Sequence, residues 1–550
     1  MSDRFRRSDL GLVLLGLAGL AAFLLLYQSA FPQANVSLEV TRAEAVATAR
    51  SFLQQQGASL AGFKDAVIFS GDDGALSFLQ HTLGVEEASR WARDEVPIWT
   101  WNLRWFKPQQ KEEWLAWLGL DGSIVGFRHR IEEAAEGADL EQGAAQQVAE
   151  GFLRQQGLDL GAWRRVEAST EKKDNRTDYR FAWEKQGTSI TWKEDDPEAG
   201  TGAVRVGLVV QGDEVGGYNL FLKVPEEFAR QQQQIQSVGQ LLAIAAFALT
   251  TILAFIAIGL AIARVRQGEV EWRPAILLGG FVGLLYLVFN LSSWPQAKAL
   301  YPTQLSWAAY IGILLISMVL LTVVYGAIVL FTAAAGVSLG RETFADSLVG
   351  FAEAAQGRLR HPSLAIASLR GYALGFAFIG YLTVFYIFAQ RYLGAWLPAE
   401  GPYSEIFNQY LPFLAPLTTS LVAAISEEVT YRLFGISLIK RYMKSTVLAL
   451  LIPAAIWAFA HSTYPVFPVY IRGIELTIGG IIFGIAFLRL GLLTCIVAHY
   501  VVDAFLLSTP LLTSGNSTYL VFGVVAIALA LLPAVLGLLA RRSAGSAALL

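Results

Sequence analysis

The sequence predicts a polytopic α-helical membrane protein of about ten spans, with a duplicated α+β extracytoplasmic domain inserted after the first span. Three observations carry this. Of 550 residues, 54% are apolar and only 16% are charged, against roughly 45–50% and about 25% in soluble domains. Charge is segregated: residues 32–236 hold 32 Asp and Glu against 22 Lys and Arg, a balance of −10, while the remainder balances at +7. Residues 43–57 also recur, in altered form, at 143–157.

A spanning helix needs about 20 mostly apolar residues. The first such run, near 10–30, follows the basic start MSDRFRR. A secretory signal begins the same way. This run is long for a signal, however, and Tyr27-Gln28 interrupts the small-residue pattern of a cleavage site, so an uncleaved anchor is expected. Further runs fall near 238–263, 275–293, 308–335, 371–390, 412–439, 446–462, 474–488, 490–509 and 519–540. Arg4, Arg6 and Arg7 place the N-terminus inside, and later clusters such as Arg264/Arg266/Arg273, Lys440/Arg441/Lys444 and Arg541/Arg542 fall on the same side. Both termini are then cytoplasmic, residues 32–236 lie outside, and a bacterial plasma membrane is the expected location.

The expected organisation is an anchor over 1–31 and two outer repeats over 32–135 and 136–236. Spans two to four and a cytoplasmic loop follow over 237–370, a polar-centred membrane core over 371–510, and a last span with a tail over 511–550. The net charge of −3 leaves no basic footprint for nucleic acid. One cysteine excludes an intrachain disulfide and a multi-cysteine metal site.

The repeat is carried by AEAVATARSFLQQQG and GAAQQVAEGFLRQQG, with Ala45/Ala145, Ala49/Ala149, Phe52/Phe152, Leu53/Leu153 and Gly57/Gly157 identical at an offset of 100. Each copy reads as an amphipathic helix ending at its Gly, followed by aromatic-rich strands. Asp121-Gly122 and Gly212-Asp213 stand where hairpin turns belong. Two α+β units of this kind resemble the PepSY-like modules of bacterial envelope proteins. No nucleophile–base pattern occurs in them, so binding or docking of an unknown ligand is the expected role. His81 and His129 are read as packing or surface residues.

The informative groups lie in the last third. One span contains Ser426-Glu427-Glu428-Val429-Thr430-Tyr431-Arg432. A charge at mid-membrane costs about 2.5–3.5 kcal/mol on insertion scales, so these groups need partners or a purpose. His461 and His499 sit in other apolar runs, and Asp503 follows His499 by four residues, on the same helix face. Counted along the hairpins at about 1.5 Å per residue, Glu427, His461, His499 and Asp503 reach one layer of the bilayer. Glu428 and Arg432, at i,i+4, are expected to neutralise each other. Arg370, Arg472 and Glu475, near span ends, are expected to snorkel, and Cys495 to pack as a small apolar residue.

EEVTYR at 427–432 fits an E-E-x-x-x-R motif, Trp457 and His461 fit an aromatic-x-x-x-His motif, and His499-x-x-x-Asp503 fits H-x-x-x-N/D. Together these resemble the CPBP family, the CAAX-protease and bacteriocin-processing membrane endopeptidases also called the Abi family. The resemblance spans roughly 371–510. It implies an intramembrane glutamic endopeptidase that needs no cofactor and acts on membrane-associated protein or peptide substrates. Glu427 would activate water with help from His461, His499 and Asp503 would stabilise the oxyanion, and Glu428 and Arg432 would brace the site. Two positions depart from the pattern. Trp457 replaces the usual Phe, and Asp503 stands where prenyl-protein proteases have Asn, which puts CAAX-type specificity in question. Asp503 can donate only when protonated, and an apolar site keeps it so.

Other readings stand beside this one. Glu427, His461, His499 and Asp503 are also zinc-ligand types, although HExxH is absent. A receptor or scaffold would use the outer module for binding and the polar groups for helix packing. A proton-coupled transporter would use them as a relay, but no inverted repeat is evident among the spans.

Overall fold

The computed structural model describes residues 6–31, 37–193, 200–358, 361–397 and 405–537. The expected C-terminal tail and its Arg541/Arg542 cluster lie outside them. The chain builds an antiparallel sheet domain seated on a bundle of apolar helices.

The repeated helices are Arg42–Gln55 and Gln142–Gln155. Their shared residues are the buried stripe: Ala45, Ala49 and Leu53 in one, Ala145, Ala149 and Leu153 in the other. Both end where Gly57 and Gly157 take positive φ (87° and 84°), a conformation cheap only for glycine. The first also closes a capping box between Thr41 and Glu44.

The strands differ from the expected pair of separate units. They are β1 (Lys64–Gly71), β2 (Trp99–Phe106), β3 (Glu113–Leu118), β4 (Ile124–Arg130), β5 (Trp163–Lys172), β6 (Thr177–Lys185), β7 (Ile190–Thr191), β8 (Thr201–Gln211) and β9 (Glu214–Lys223). They form one sheet in the order β1-β2-β3-β4-β9-β8-β6-β5, with β7 beside β8. Each copy is a meander whose last strand would be an open edge. Pairing β4 with β9, Phe127 opposite Tyr218, removes both edges at once. The hairpin turns fall at Asp121-Gly122 and Gly212-Asp213. The first copy alone carries two further helices, Asp73–Leu83 and Val85–Asp94.

Among the described residues, eight helices are long and apolar enough to cross a membrane: Arg7–Ala30, Glu226–Arg266, Trp272–Ser292, Trp307–Ala355, Pro362–Tyr392, Tyr470–Leu490, Leu492–Leu512 and Ser517–Gly537. The protein is an integral membrane protein. Two of the ten expected spans have another form. Thr446–Ala460 has 15 residues and an internal Pro453, so it runs only about 22 Å, short of the roughly 30 Å hydrocarbon layer. The Glu427 helix, 414–443, is α-helical over Leu414–Glu427, π-helical over Glu428–Ile436 and α-helical again over Ser437–Met443.

The N-terminal helix is a packed member of the bundle. Gly16 and Gly19 let it cross the Pro362–Tyr392 helix closely; a Cβ on Gly16 would fall 2.5 Å from the Ala373 carbonyl oxygen. Near its N-terminal end Asp9 takes Arg370 in a two-pronged pair at 2.8 and 2.9 Å. Both side chains are buried, so Arg370 does not snorkel: a carboxylate on the neighbouring helix meets it where lipid would not.

The sheet domain grips the membrane loops. Asn408 acts as a stand-in strand on the free edge of β1, accepting from Phe69 N–H (2.6 Å) and donating to Phe69 C=O (2.9 Å). Trp396 donates to Ser77 Oγ of the Asp73–Leu83 helix (2.8 Å) and exchanges both main-chain hydrogen bonds with Phe467. Arg104 on β2 donates to the carbonyls of Ala299 and Tyr301.

Candidate active site

Three helices bring Glu427, His461 and His499 together. The π-turn begins at Glu428, just after Glu427; such turns are rare and concentrate at functional sites. Adjacent residues on a helix point about 100° apart, so the two glutamates face different surroundings. Glu427 keeps 24% of its side chain exposed, whereas Glu428 has 0%.

Glu427 meets both histidines. Its Oε1 lies 4.0 Å from His461 Nε2 and its Oε2 lies 3.9 Å from His499 Nε2, a spacing a bridging water spans better than a direct bond. Trp457 Nε1–H donates to Glu427 Oε2. The Trp that stands where the motif usually has Phe thus supplies a donor that Phe lacks.

His461, expected inside the 446–462 span, is instead the first residue after the short helix Thr446–Ala460. Pro453 and the helix end set its depth. His461 Nδ1 lies 2.8 Å from Trp457 C=O. A carbonyl only accepts, so Nδ1 carries the proton and a neutral ring turns its Nε2 lone pair toward Glu427.

His499 sits between carboxylates. Nδ1 is 2.8 Å from Glu428 Oε1, and Nε2 is 3.4 Å from Asp503 Oδ2. Glu428 therefore serves two partners, because Arg432 also lies 3.3 Å from its Oε1. The expected Glu428–Arg432 pair exists, but it is half of an Arg432–Glu428–His499 chain. The Arg432 guanidinium rests on the rings of Trp457 (4.2 Å) and Phe483 (5.4 Å), which face it with their electron-rich surfaces. Trp457 thereby contacts Glu427, Arg432 and, ring to ring, both histidines.

A second polar cluster adjoins this one. Arg472 donates to Glu475 Oε2 (2.6 Å) and Tyr386 Oη (2.9 Å), and Tyr386 donates to Glu475 Oε2 (2.8 Å). Glu475 has 0% side-chain exposure, so this pair is paired inside the bundle instead of snorkelling. The Tyr464 ring lies between the two clusters, 5.1 Å from Arg472 and 5.3 Å from the His461 ring. The argument that selected Glu427, an ionisable group in an apolar run, selects Glu475 equally well. Its place three residues after Arg472, near a helix start, hid it. Cys495 is buried, as a packing residue should be.

The site thus offers a partly open carboxylate, a histidine with a free nitrogen beside it, and a second histidine held from behind. This set can activate water and stabilise a developing oxyanion. Among the described residues, no three His, Cys, Asp or Glu side chains are arranged to hold a metal ion.

Residues 409–505 match the family model of the type II CAAX prenyl endopeptidase Rce1-like proteins. The chain is 29% identical over 106 residues to the sporulation-killing factor biosynthesis protein SkfC of Bacillus subtilis (strain 168). That alignment covers 19% of this chain and 21% of the relative, so the chain spans about a fifth of that protein's length. No solved structure matches.

Proposed function

We propose that this chain, whose membrane core belongs to the CPBP family of CAAX-protease-like proteins, is an intramembrane endopeptidase that hydrolyses peptide bonds by glutamate-activated water. The convergence of Glu427, His461 and His499 at 3.9–4.0 Å carries the reading. Water held between Glu427 and His461 Nε2 attacks the substrate carbonyl while Glu427 takes its proton. The C–O bond forms, the C–N bond breaks, and the same proton passes from Glu427 to the leaving amine.

The oxyanion falls to Asp503, with His499 holding the Asp503 carboxyl from behind. This reading takes Asp503 as protonated, so that the Glu427 and Glu428 carboxylates balance the Arg432 and His499 cations. His499 then donates from both nitrogens, to Glu428 and to the carbonyl oxygen of the Asp503 carboxyl. The Asp503 O–H is left to donate to the oxyanion. An asparagine can serve in the same way. Substrates on this reading are membrane-associated proteins or peptides. The sheet domain lies outside the membrane with both chain termini in the cytoplasm.

The test is cleavage of a quenched peptide library, lipidated peptides included, by the purified protein in liposomes. Wild type should cleave, Glu427→Ala and His461→Ala should not, and chelator should leave the wild type unaffected. Loss of activity with chelator would favour zinc held by Glu427, His461, His499 and Asp503. Absence of cleavage in every sample, with all variants folded, would favour a receptor.

A further inference from the structure

The face of the sheet turned away from the repeated helices carries a cavity of about 380 Å³, within the range of small-ligand sites. One cross-strand ladder builds its floor: Asn102 opposite Trp117, Trp117 opposite Gly126, Gly126 opposite Asn219 and Asn219 opposite Gly207. The neighbouring ladder, Leu103, Ala116, Phe127, Tyr218 and Leu208, is buried on the other face. Two glycines in the open ladder leave room. The Trp117 ring lies over Gly126 and the Asn219 amide over Gly207. The two repeats therefore share this cavity at their seam, and neither copy has it alone.

Its chemistry is specific. Asn102 donates to Ser70 Oγ (2.6 Å) and accepts from Thr100 Oγ1 (3.4 Å), a polar strip along β1 and β2. Asn219 is exposed, and its amide forms no hydrogen bond among the described residues. One amide offers a donor and an acceptor in a plane, the complement of a peptide group. No Lys or Arg lines the cavity, whereas Asp72 and Asp73 both do, in a module of balance −10. An anionic ligand has nothing to neutralise it there.

The cavity wall also touches the grip on the membrane loops. Ser70 and Gly71 follow Phe69, which holds Asn408. Asp72 and Ala75 precede Ser77, which holds Trp396 and through it Phe467, six residues past His461.

We infer that this cavity binds an extended peptide segment lacking acidic residues, and that binding tightens the loops around Asn408 and Phe467. The inference needs only the geometry of the sheet domain and stands whether or not the membrane core is a peptidase. The experiment uses the full chain in lipid nanodiscs and fluorescent peptides on a common Gly-Ser-Tyr background, Lys-bearing, uncharged or Glu-bearing, with a neutral oligosaccharide as comparison. Polarisation should show saturable binding of the first two and at least about tenfold weaker binding of the Glu series. Asn219→Ala, an exposed change, and Thr100→Trp, which fills the cavity, should each weaken binding about tenfold or more. Hydrogen exchange at 405–413 and 462–468 should slow when peptide is bound. Binding of the oligosaccharide alone, or of no probe, overturns the ligand class. Binding unaffected by both variants overturns the site. Binding without altered exchange overturns the link to the loops.

Discussion

Trp457 is the residue on which most of the site rests. Its indole N–H fixes Glu427 and its ring supports Arg432. A hydrogen bond to a charged group contributes about 1.5–3 kcal/mol, so Trp457→Phe should lower kcat about ten- to a hundredfold in a folded protein. An unchanged kcat would remove Trp457 from the site. Asp503 gives a sharper test of protonation. Asp503→Asn keeps a donor and should keep hydrolysis, whereas Asp503→Ala should lose about 10²–10³ in kcat, the usual effect of one oxyanion donor. Loss of activity in Asp503→Asn would contradict a neutral Asp503. These positions were legible because a charge in an apolar run is costly and stands out. Trp457 was legible only as the aromatic of its motif; that its N–H holds Glu427 was not, since the partner lies 30 residues away on another helix.

Among the elements, the N-terminal helix makes the clearest claim. A buried ion pair broken on one side costs about 3–5 kcal/mol, so Asp9→Ala should lower the thermal midpoint markedly while the Asp9→Ala/Arg370→Met double variant recovers part of the loss. No change in either would mean the helix is only tethered. Gly16→Leu should separate the two helices and weaken a cross-link placed between them. Sequence alone located this helix and both repeated helices, whose buried alanines and leucines recur at an offset of 100. It did not reveal that Asp9 answers Arg370, because the partners are 361 residues apart and each, read alone, belongs at a membrane surface. The short helix before His461 reads in sequence as a full span for a similar reason: apolar composition continues past Ala460 although the helix does not.

Across the whole molecule, the sheet domain meets the membrane core through the Phe69–Asn408 and Ser77–Trp396 contacts. Cys495 is buried, so a single added cysteine can report sidedness. Asp213→Cys, in the β8–β9 turn, should react with a membrane-impermeant maleimide added outside intact cells. Labelling only after lysis would invert the topology. The single sheet was the least legible feature, since each repeat accounts for its own strands and only the seam, β4 beside β9, makes them one surface.

The most direct measurement is hydrolysis of a cleaved library peptide in water labelled with heavy oxygen, by wild type and by Glu427→Gln of equal thermal stability. The account predicts labelled oxygen in the new carboxyl terminus from a single wild-type turnover, and a rate about 10²–10⁴ lower in Glu427→Gln. Cleavage by Glu427→Gln at the wild-type rate would contradict it.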